Sequence, residues 1–464
     1  MSPLMERPTV AILWFRRDLR VADNQALTAA LAAADQVVPL FVRDPAILDG
    51  GRVGPLRRER LEAALAALEA ELRARGGRLV VRTGRPQDVL GAVAWESGAR
   101  EVHAQRDYTP YARQRDEAVA AALGPAVPLR LHAGTLLVEP EMIGERRVFT
   151  PFHRAWSRAL VLAPMPAPPG QVLVPVGLLS EPVNIVGVAA RGEADALARL
   201  RAFAPRAARY GIDRDRLDLA GTSALSPDLH LGTVSPRQVL ELVSEEAFAR
   251  QLAWRDFAAH RAWWDPASVR EKRGTADRDS GGPEGPISWD QDSGLLAAWT
   301  EGRTGYPVVD AAMRQLAQTG WISNRARMIA ASFLVKDLLL DWRLGRDWFE
   351  RVLVDGDVAS NWYNWRWVAG MGPDAAPWFR IMNPVLQGER FDPRGEWARR
   401  WVPELGRVPD AFVHRPWDAP GGVPGEYPPR IVDHAERRLE ALRRFRAQRE
   451  GREGDGRRHG SRRR

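Results

Sequence analysis

The first part of this chain repeats short apolar runs between helical segments. Four runs have the length and composition of buried strands, and they lie at residues 10–15, 37–42, 79–82 and 101–104. Helical spacing occupies residues 22–34, with a start near Asp23, and residues 59–75. Strands that alternate with helices form a parallel, doubly wound sheet with helices on both faces. We therefore predict an α/β domain over residues 1–130.

The rest of the chain follows a different period. Residues 163–187 are rich in Pro, Val and Gly without amphipathic spacing, which indicates an interdomain connection. Farther along, apolar residues recur at helical intervals, as at Ala311, Met313 and Leu316. The pattern predicts three segments beyond the α/β domain: a connection over 131–195, an all-α domain over 196–434 and a disordered Arg-rich tail over 435–464.

The formal charge of +8 is concentrated at the end of the chain. Residues 435–464 contain 12 Arg and 5 Asp or Glu, so the remainder is nearly neutral. Such a run is more often a solvated extension than a nucleic-acid-binding element. Only Lys272 and Lys336 among the 67 basic residues are lysines, so Arg is abundant throughout and gives weak support for phosphate recognition.

Composition also excludes several classes of protein. The chain has no cysteine, which removes disulfides, thiol nucleophiles, Cys-ligated zinc and iron–sulfur clusters, and we expect no metal site. Any redox chemistry then needs an organic cofactor. No Gly-x-Gly-x-x-Gly follows the first strand and no Gly-Lys-Ser/Thr occurs, which excludes ordinary dinucleotide and P-loop sites. Without an apolar run of about 18 to 20 residues or a signal peptide, we expect a cytoplasmic protein without membrane contact.

Tryptophan is concentrated in the predicted helical domain. Twelve of the 18 tryptophans lie between Trp254 and Trp378. A buried indole N–H requires a partner, so ordinary cores use Leu, Ile and Phe more readily. So many tryptophans near Arg, Asn and Asp indicate rings that stack on bases or on a flavin, or that carry electrons. The alternative for each ring is core packing.

Seven segments occur in an order that is typical of one known family. They are residues 14–24, 221–226, 252–257, 304–314, 324–328, 355–357 and 374–380. Together they resemble the photolyase/cryptochrome family and are most similar to its bacterial class I cyclobutane pyrimidine dimer photolyases. The resemblance covers nearly the whole chain except the tail. It implies a monomer that binds DNA containing pyrimidine dimers and repairs them by electron transfer from photoexcited reduced FAD.

The resemblance places noncovalent FAD in the helical domain. The implied contacts are Tyr210, Thr222, Ser223, Ala224, Leu225, Ser226, Arg327, Asp355, Asp357 and Asn361. From the residues alone, the hydroxyls at 222–226 fit either a helix cap without a ligand or a diphosphate cradle. Asp355 and Asp357 alone also fit a solvated turn. In the family the first acid pairs with Arg327 beside the isoalloxazine, and Asn361 faces flavin N5.

Trp365, Trp342 and Trp289 match the electron-hopping triad of the family. The triad passes an electron from the surface to the flavin and restores its reduced state. Core packing alone would explain each ring separately, so the relay is an implication of the resemblance.

The lesion pocket of the family is walled by two tryptophans, matched here by Trp254 and Trp367, and Arg325 stands where the family contacts lesion phosphate or base. Two positions depart from the family, because Gln251 replaces Glu and Ala258 replaces Tyr. Gln can donate a hydrogen bond but cannot supply a proton, so we expect repair at lower efficiency.

The positions of the histidine pair that (6-4) photolyases need hold Asn324 and Met328, and we expect Met328 at the lesion pocket instead. This argues against (6-4) repair. The antenna segment at 107–116 departs from the pair that grips methenyltetrahydrofolate in some relatives. Its Pro110 and Tyr111 are more similar to deazaflavin-binding members, while a surface loop entering a helix is the alternative.

Two other functions compete with repair. A cryptochrome-like blue-light sensor would keep FAD and the triad and signal through the Arg-rich tail. Gln251 and Ala258 favour that alternative, whereas Asn361, Trp254 and Trp367 favour repair. A plain electron-transfer flavoprotein leaves the two lesion tryptophans unexplained.

Overall fold

The computed structural model of the protein describes residues 8–161, 163–183, 191–269, 288–371, 380–423 and 425–460. Most of the family-like segment at 374–380 therefore lies outside the described residues, as does the end of the Pro-rich connection at 163–187.

Five strands form one parallel sheet at the start of the chain. They are β1 (Val10–Phe15), β2 (Gln36–Arg43), β3 (Val80–Thr83), β4 (Glu101–Gln105) and β5 (Leu129–His132). Their order across the sheet is β3-β2-β1-β4-β5, and every neighbouring pair is parallel. The prediction of a doubly wound sheet is confirmed. The apolar pattern does not predict β5, because this edge strand has exposed and half-exposed residues instead of a continuous apolar run.

Helices cover both faces of this sheet. In chain order, the helices of this part of the chain are α1 (Gln25–Ala33), α2 (Pro45–Leu48), α3 (Pro55–Ala74), α4 (Pro86–Ser97), α5 (Pro110–Leu123), α6 (Pro140–Ile143) and α7 (Phe149–Ala159). Alternate residues of β1 point to opposite faces. Leu13 and Phe15 pack in a core with α1 and α3, whereas Ile12 and Trp14 pack in a second core with α4 and α5.

The remaining described residues are largely helical, as predicted. The helices are α8 (Glu193–Phe203), α9 (Tyr210–Asp213), α10 (Ser226–Leu231), α11 (Pro236–Leu242), α12 (Glu246–Trp264), α13 (Pro266–Val269), α14 (Ser293–Thr300), α15 (Pro307–Thr319), α16 (Asn324–Ser332), α17 (Trp342–Val352), α18 (Val358–Val368), α19 (Pro384–Phe391), α20 (Glu396–Trp401) and α21 (His434–Gly460). A π-helical turn, Phe333–Asp337, follows α16.

The described residues divide into two compact units. The first unit comprises residues within Met1–Ala208, Ser223–Pro266 and Val354–Ala359, and the second comprises those within Arg209–Thr222, Ala267–Leu353 and Ser360–Arg464. This division differs from the predicted boundary at residue 195. Buried ion pairs explain why residues 223–266 pack with the sheet: Asp23 binds Arg237 at 3.0 Å, and Asp228 binds Arg60 at 2.7 Å.

The Arg-rich end, for which the sequence predicts disorder, belongs to helix α21 as far as residue 460. Glu440 pairs with Arg443 at 2.6 Å and with Arg444 at 2.7 Å, three and four residues along α21. Ala441 on the same helix is buried. Average composition conceals these specific pairs, which is why it indicated a solvated tail.

Within the described ranges, no helix combines the length and the apolar character that crossing a bilayer requires.

Candidate functional site

A cleft opens at the carboxyl ends of β1 and β4 in the first unit. From β1 the chain continues to β2 on one side, whereas from β4 it continues to β5 on the other side, so the strand order reverses between β1 and β4. Doubly wound sheets bind ligands where the strand order reverses in this way. The lining of the cleft comes from five separate parts of the chain and includes Arg17, Asp107, Tyr108, Thr109, Arg255 and Asp357.

Charged side chains of the cleft pair with one another. Arg17 lies 2.7 Å from Asp357 and 3.9 Å from Asp107. Burial raises the pKa of Asp107, but Arg17, Arg115 and Arg16 outweigh it, so this pKa lies below the ordinary value. The structure therefore places Asp357, which the resemblance assigned to FAD, on this cleft in the first unit.

The two residues singled out for the antenna, Pro110 and Tyr111, do not line the cleft. Pro110 begins α5, and the hydroxyl of Tyr111 donates to Asp44. The residues just before them, Tyr108 and Thr109, form the lining instead. The sequence predicts the cleft-lining positions only approximately, because the chain turns away from the cleft where α5 begins.

Helix α12 closes the cleft with Arg255. Its Nη1 donates to the carbonyl oxygen of Thr135 at 2.8 Å, and burial lowers its pKa. The neighbouring Asp256 accepts hydrogen bonds from the Leu137 N–H at 2.9 Å and from Trp156 Nε1 at 3.0 Å. Burial raises the pKa of Asp256 to about 6. These bonds fix the position of α12 within the first unit.

Trp254, the first expected lesion wall, also lies on α12. Its ring stacks on Phe149 with the ring centroids 3.5 Å apart and the planes 3° apart. Gln251 donates to Ala247 in its own helix at 3.3 Å, while Ala258 is buried and so points away from solvent. The sequence reasoning missed Phe149, although its spacing from Phe152 and Trp156 along α7 is that of a helix face.

The loop before α10 holds the expected diphosphate residues of the first unit, 223–226. Ala224 has a left-handed main-chain conformation, with φ 52°, and Leu225 is right-handed, with φ −87° and ψ 0°. Such an alternation turns successive N–H groups toward one concavity, which binds anions. Ser226 is the first residue of α10 instead of its cap, so the main chain carries the anion-binding potential. Asp355 is buried in the same unit.

The second unit holds the innermost tryptophan of the expected relay. Trp365 makes edge-on contacts with Phe349 at 5.1 Å and with Trp299 at 6.3 Å between ring centroids. Trp299 is fully buried and donates to the carbonyl oxygen of Ala330 at 3.0 Å. Sequence reasoning missed Trp299 and Phe349, because nothing in their spacing separates them from other core aromatics.

Trp342 begins α17 and is fully buried. Its indole N–H has no hydrogen-bond partner among the residues that the structure describes. The guanidinium groups of Arg343 and Arg346 lie 5.0 and 5.3 Å from its ring centroid. A ring so enclosed has little freedom to move, which suits a fixed carrier as well as a core residue.

The outer relay position, Trp289, is half-buried. Its neighbour Asp290 forms a parallel bridge to Leu340, and the Asp290 N–H donates to Leu339 at 2.8 Å. The segment of Trp289 is therefore attached directly to the residues that precede Trp342. The structure brings these two expected relay segments together within the second unit.

Asn361, expected at flavin N5, is buried in the second unit. Its side-chain amide donates to the Arg346 carbonyl at 3.0 Å and to Glu350 at 3.1 Å. Both bonds use Nδ2, so the carbonyl oxygen is the atom oriented for accepting a further hydrogen bond. Arg327 donates through Nε to Ile322 at 3.0 Å.

Four other expected site residues belong to the second unit. Tyr210 is buried and Thr222 is half-buried. Met328 accepts a hydrogen bond from Asn324 at 3.4 Å, and Trp367 is half-buried.

Arg325, expected at the lesion, already has partners in the second unit. Its Nη2 lies 2.6 Å from Asp215, and its guanidinium covers the Phe391 ring at 4.4 Å. If Arg325 contacts DNA, its guanidinium would therefore bind the DNA and Asp215 at the same time.

The chain is similar to known proteins over most of its length. Residues 11–169 match the family model described as DNA photolyase, and residues 248–447 match the FAD binding domain of DNA photolyase. The deoxyribodipyrimidine photo-lyase of Streptomyces griseus is 43% identical over 460 residues, which cover 93% of this chain and 98% of that protein.

Solved structures are also similar over nearly the full length. A bacterial class III photolyase from Agrobacterium tumefaciens has a TM-score of 0.87 at 36% identity, with 97% of this chain and 100% of that chain covered. An archaeal photolyase from Sulfolobus tokodaii, solved with two FAD molecules, has a TM-score of 0.82 at 31% identity, with coverage of 95% and 100%.

A doubly wound α/β part followed by a helical FAD-binding part defines a class of two-part flavoproteins. The chain belongs to the photolyase/cryptochrome family.

Proposed function

We propose that this chain repairs cyclobutane pyrimidine dimers in DNA under light. The observation that carries the proposal is the stack of Trp254 on Phe149 at 3.5 Å, which fixes the plane of an indole at the expected lesion wall. The names of the curated relatives, deoxyribodipyrimidine photo-lyases at 34–43% identity, support this substrate over the sensor alternative.

FAD fits the residues that would hold it. The left-handed turn at Ala224 would present main-chain N–H groups to a diphosphate, and the Leu225 N–H donates to Ser223 Oγ at 3.4 Å. The carbonyl oxygen of Asn361 suits the N–H of a reduced flavin ring. We assign Tyr210, Thr222, Ser223, Ser226, Arg327 and Asp355 to the same cofactor. When bound, FAD supplies the light-driven one-electron chemistry that splits the dimer.

The protein residues bind the lesion and supply electrons. Enzymes that act on a base, photolyases among them, take it out of the stack. Trp254 and Trp367 would stack on the extruded pyrimidines, and Gln251 would donate a hydrogen bond to a pyrimidine carbonyl. Trp289, Trp342 and Trp365 would carry an electron inward from a thiol in solution.

Repair is tested with FAD-loaded, chemically reduced protein and an oligonucleotide that contains one dimer. We expect light-dependent restoration of the two pyrimidines, measured by chromatography. Trp254→Ala should weaken binding to this DNA by about 1 to 3 kcal/mol, the range for one base–aromatic stack. Binding to undamaged DNA should barely change, because phosphate contacts dominate it.

The matched control is Trp95→Ala, which removes a tryptophan that is 89% exposed on α4. It should leave both affinities unchanged. If the reduced wild-type protein restores no pyrimidines in light, the repair assignment fails and the sensor alternative replaces it.

We also propose that the cleft at β1 and β4 holds an antenna chromophore, and that a deazaflavin suits it better than methenyltetrahydrofolate. Arg17 and Arg255 provide cations, and Asp107 provides an acceptor, on the lining of this cleft. The photolyase from Sulfolobus tokodaii contains two FAD molecules, which implies a novel light-harvesting cofactor in that protein. This similarity supports a flavin-like ligand for the cleft of the present chain.

A titration of FAD-loaded protein with a deazaflavin riboside, followed by fluorescence, tests the antenna. Arg255→Gln should weaken binding about ten- to a hundredfold, since hydrogen bonds to charged groups contribute about 1.5 to 3 kcal/mol. Arg130→Gln, at a largely exposed position on β5, is the control. Unchanged affinity in Arg255→Gln would remove the antenna from this cleft, and tighter binding of methenyltetrahydrofolate would reverse the choice of chromophore.

A further inference from the structure

The first turns of α21 hold two separate segments of the second unit together. Arg437 donates to Asp290 at 2.8 Å, to the Asp337 carbonyl at 2.6 Å and to the Leu338 carbonyl at 2.9 Å. Asp290 directly follows Trp289, and Leu338 lies four residues before Trp342. One guanidinium therefore joins the segments of two successive relay tryptophans.

Arg444 contacts the residues on either side of Trp289 in the sequence. Its Nη1 donates to the Ser288 carbonyl at 2.6 Å and lies 2.8 Å from Asp290. Glu440, 2.7 Å from the Nε of Arg444, fixes the orientation of this side chain. The two residues that flank Trp289 are thus bound by the same arginine.

Asp290 is ionised at neutral pH, so its ion pairs with Arg437 and Arg444 persist there. Partial burial raises the pKa of Asp290, but hydrogen bonds from Arg437 and Arg444 outweigh it, so the pKa lies below the ordinary value. Because the folded-state pKa is lowered, the stability from these pairs is present above the ordinary pKa of Asp. It is lost only as the pH falls through the folded-state pKa.

We propose that Arg437 and Arg444 are positioning residues for electron transfer from Trp289 to Trp342. In this step the Trp289 indole loses one electron and the oxidised Trp342 indole gains it, after which a thiol in solution reduces Trp289. The inference rests on the relay of the proposed function. The rate of electron transfer between two rings depends on their separation and relative orientation, so a ring that loses its support would pass its electron more slowly.

The double variant Arg437→Gln/Arg444→Gln tests this in FAD-loaded, full-length protein with a thiol present. We expect photoreduction of oxidised FAD to slow about tenfold or more, with a matching loss of the transient tryptophan radical absorbance. Arg438→Gln, at an exposed position on the same helix, should photoreduce like wild type.

A second measurement separates positioning from general damage to the fold. Protein that dithionite has already reduced does not need the relay, so the double variant should repair dimers at the wild-type rate. If its repair falls as much as its photoreduction, α21 has only a structural role and the inference is wrong. Asp290→Asn, which keeps the size of the side chain, provides a milder variant that should show an intermediate photoreduction rate.

Trp289→Phe distinguishes failure of the inference from failure of the relay. If Trp289→Phe photoreduces normally, the relay itself is wrong. If Trp289→Phe is slow while the double arginine variant is as fast as wild type, the relay stands and the positioning role of α21 is overturned.

Discussion

At the scale of single residues, the Trp365 ring packs directly against Gly345, where any side chain would overlap it. A Cβ atom at Gly345 would overlap Cη2 of Trp365 and lie 2.6 Å from Cδ2 of Leu334. Both neighbours are buried, so neither ring nor methyl group can move into solvent. Gly345 lies within α17, where glycine is otherwise unfavourable.

We predict that Gly345→Ala destabilises the protein and disturbs the inner relay position. Replacing a helical glycine by alanine favours folding by roughly 0.5 to 1 kcal/mol. Overpacking a core usually destabilises the folded protein by about 1 to 3 kcal/mol. The clash should therefore outweigh the gain, and the variant should be less stable than wild type. Denaturant unfolding measures the stability, and photoreduction measures the displacement of Trp365.

Gly91→Ala is the matched control for this variant. Gly91 also lies inside a helix, α4, but a Cβ atom there would meet nothing within 4 Å. It should stabilise the protein by roughly 0.5 to 1 kcal/mol. A Gly345→Ala variant as stable as Gly91→Ala would show that the Trp365 ring is free to move.

At the scale of elements, the sheet could be predicted because its central strands are buried on both faces. Such strands appear in sequence as continuous apolar runs, as in β1 and β2. The edge strand β5 and helix α21 could not be predicted in the same way. Their stability comes from pairing with neighbours: β5 with β4, and Glu440 with Arg443 and Arg444.

The candidate site was predictable only in part, for a similar reason. Spacing cannot distinguish Trp365 from Trp299, since both rings are buried and touch each other. The relay residues were predicted from the resemblance to a family, and the structure then added Phe149 behind Trp254. The cleft draws on loops, a helix and an acidic segment that are far apart in sequence, so no local pattern could reveal it.

At the scale of the whole molecule, the positive charge of residues 435–464 falls into two groups. Arg437 and Arg444 are bound within the second unit, and Arg443 pairs with Glu440. Beyond residue 447 the sequence contains seven Arg and three Asp or Glu, a surplus of four positive charges. A surplus of this kind at one end of a nearly neutral chain attracts DNA phosphates without reading sequence.

We predict that deleting residues 448–464 weakens binding to undamaged duplex DNA at low salt and makes that binding less sensitive to salt. Each phosphate contact that is lost should reduce the slope of log K against log salt by about 0.9. The preference for dimer-containing DNA should increase, because base stacking on Trp254 carries it and survives the deletion. Repair by prereduced protein at saturating DNA should not change, and photoreduction should stay at the wild-type rate because Arg437 and Arg444 remain.

Fluorescence anisotropy with both duplexes across a salt series measures this change in DNA binding. A full-length variant with the seven Arg of 448–464 replaced by Gln controls for chain length. An unchanged slope in both proteins would mean that the terminal Arg residues make no phosphate contacts, and that the charge of this segment serves solvation alone.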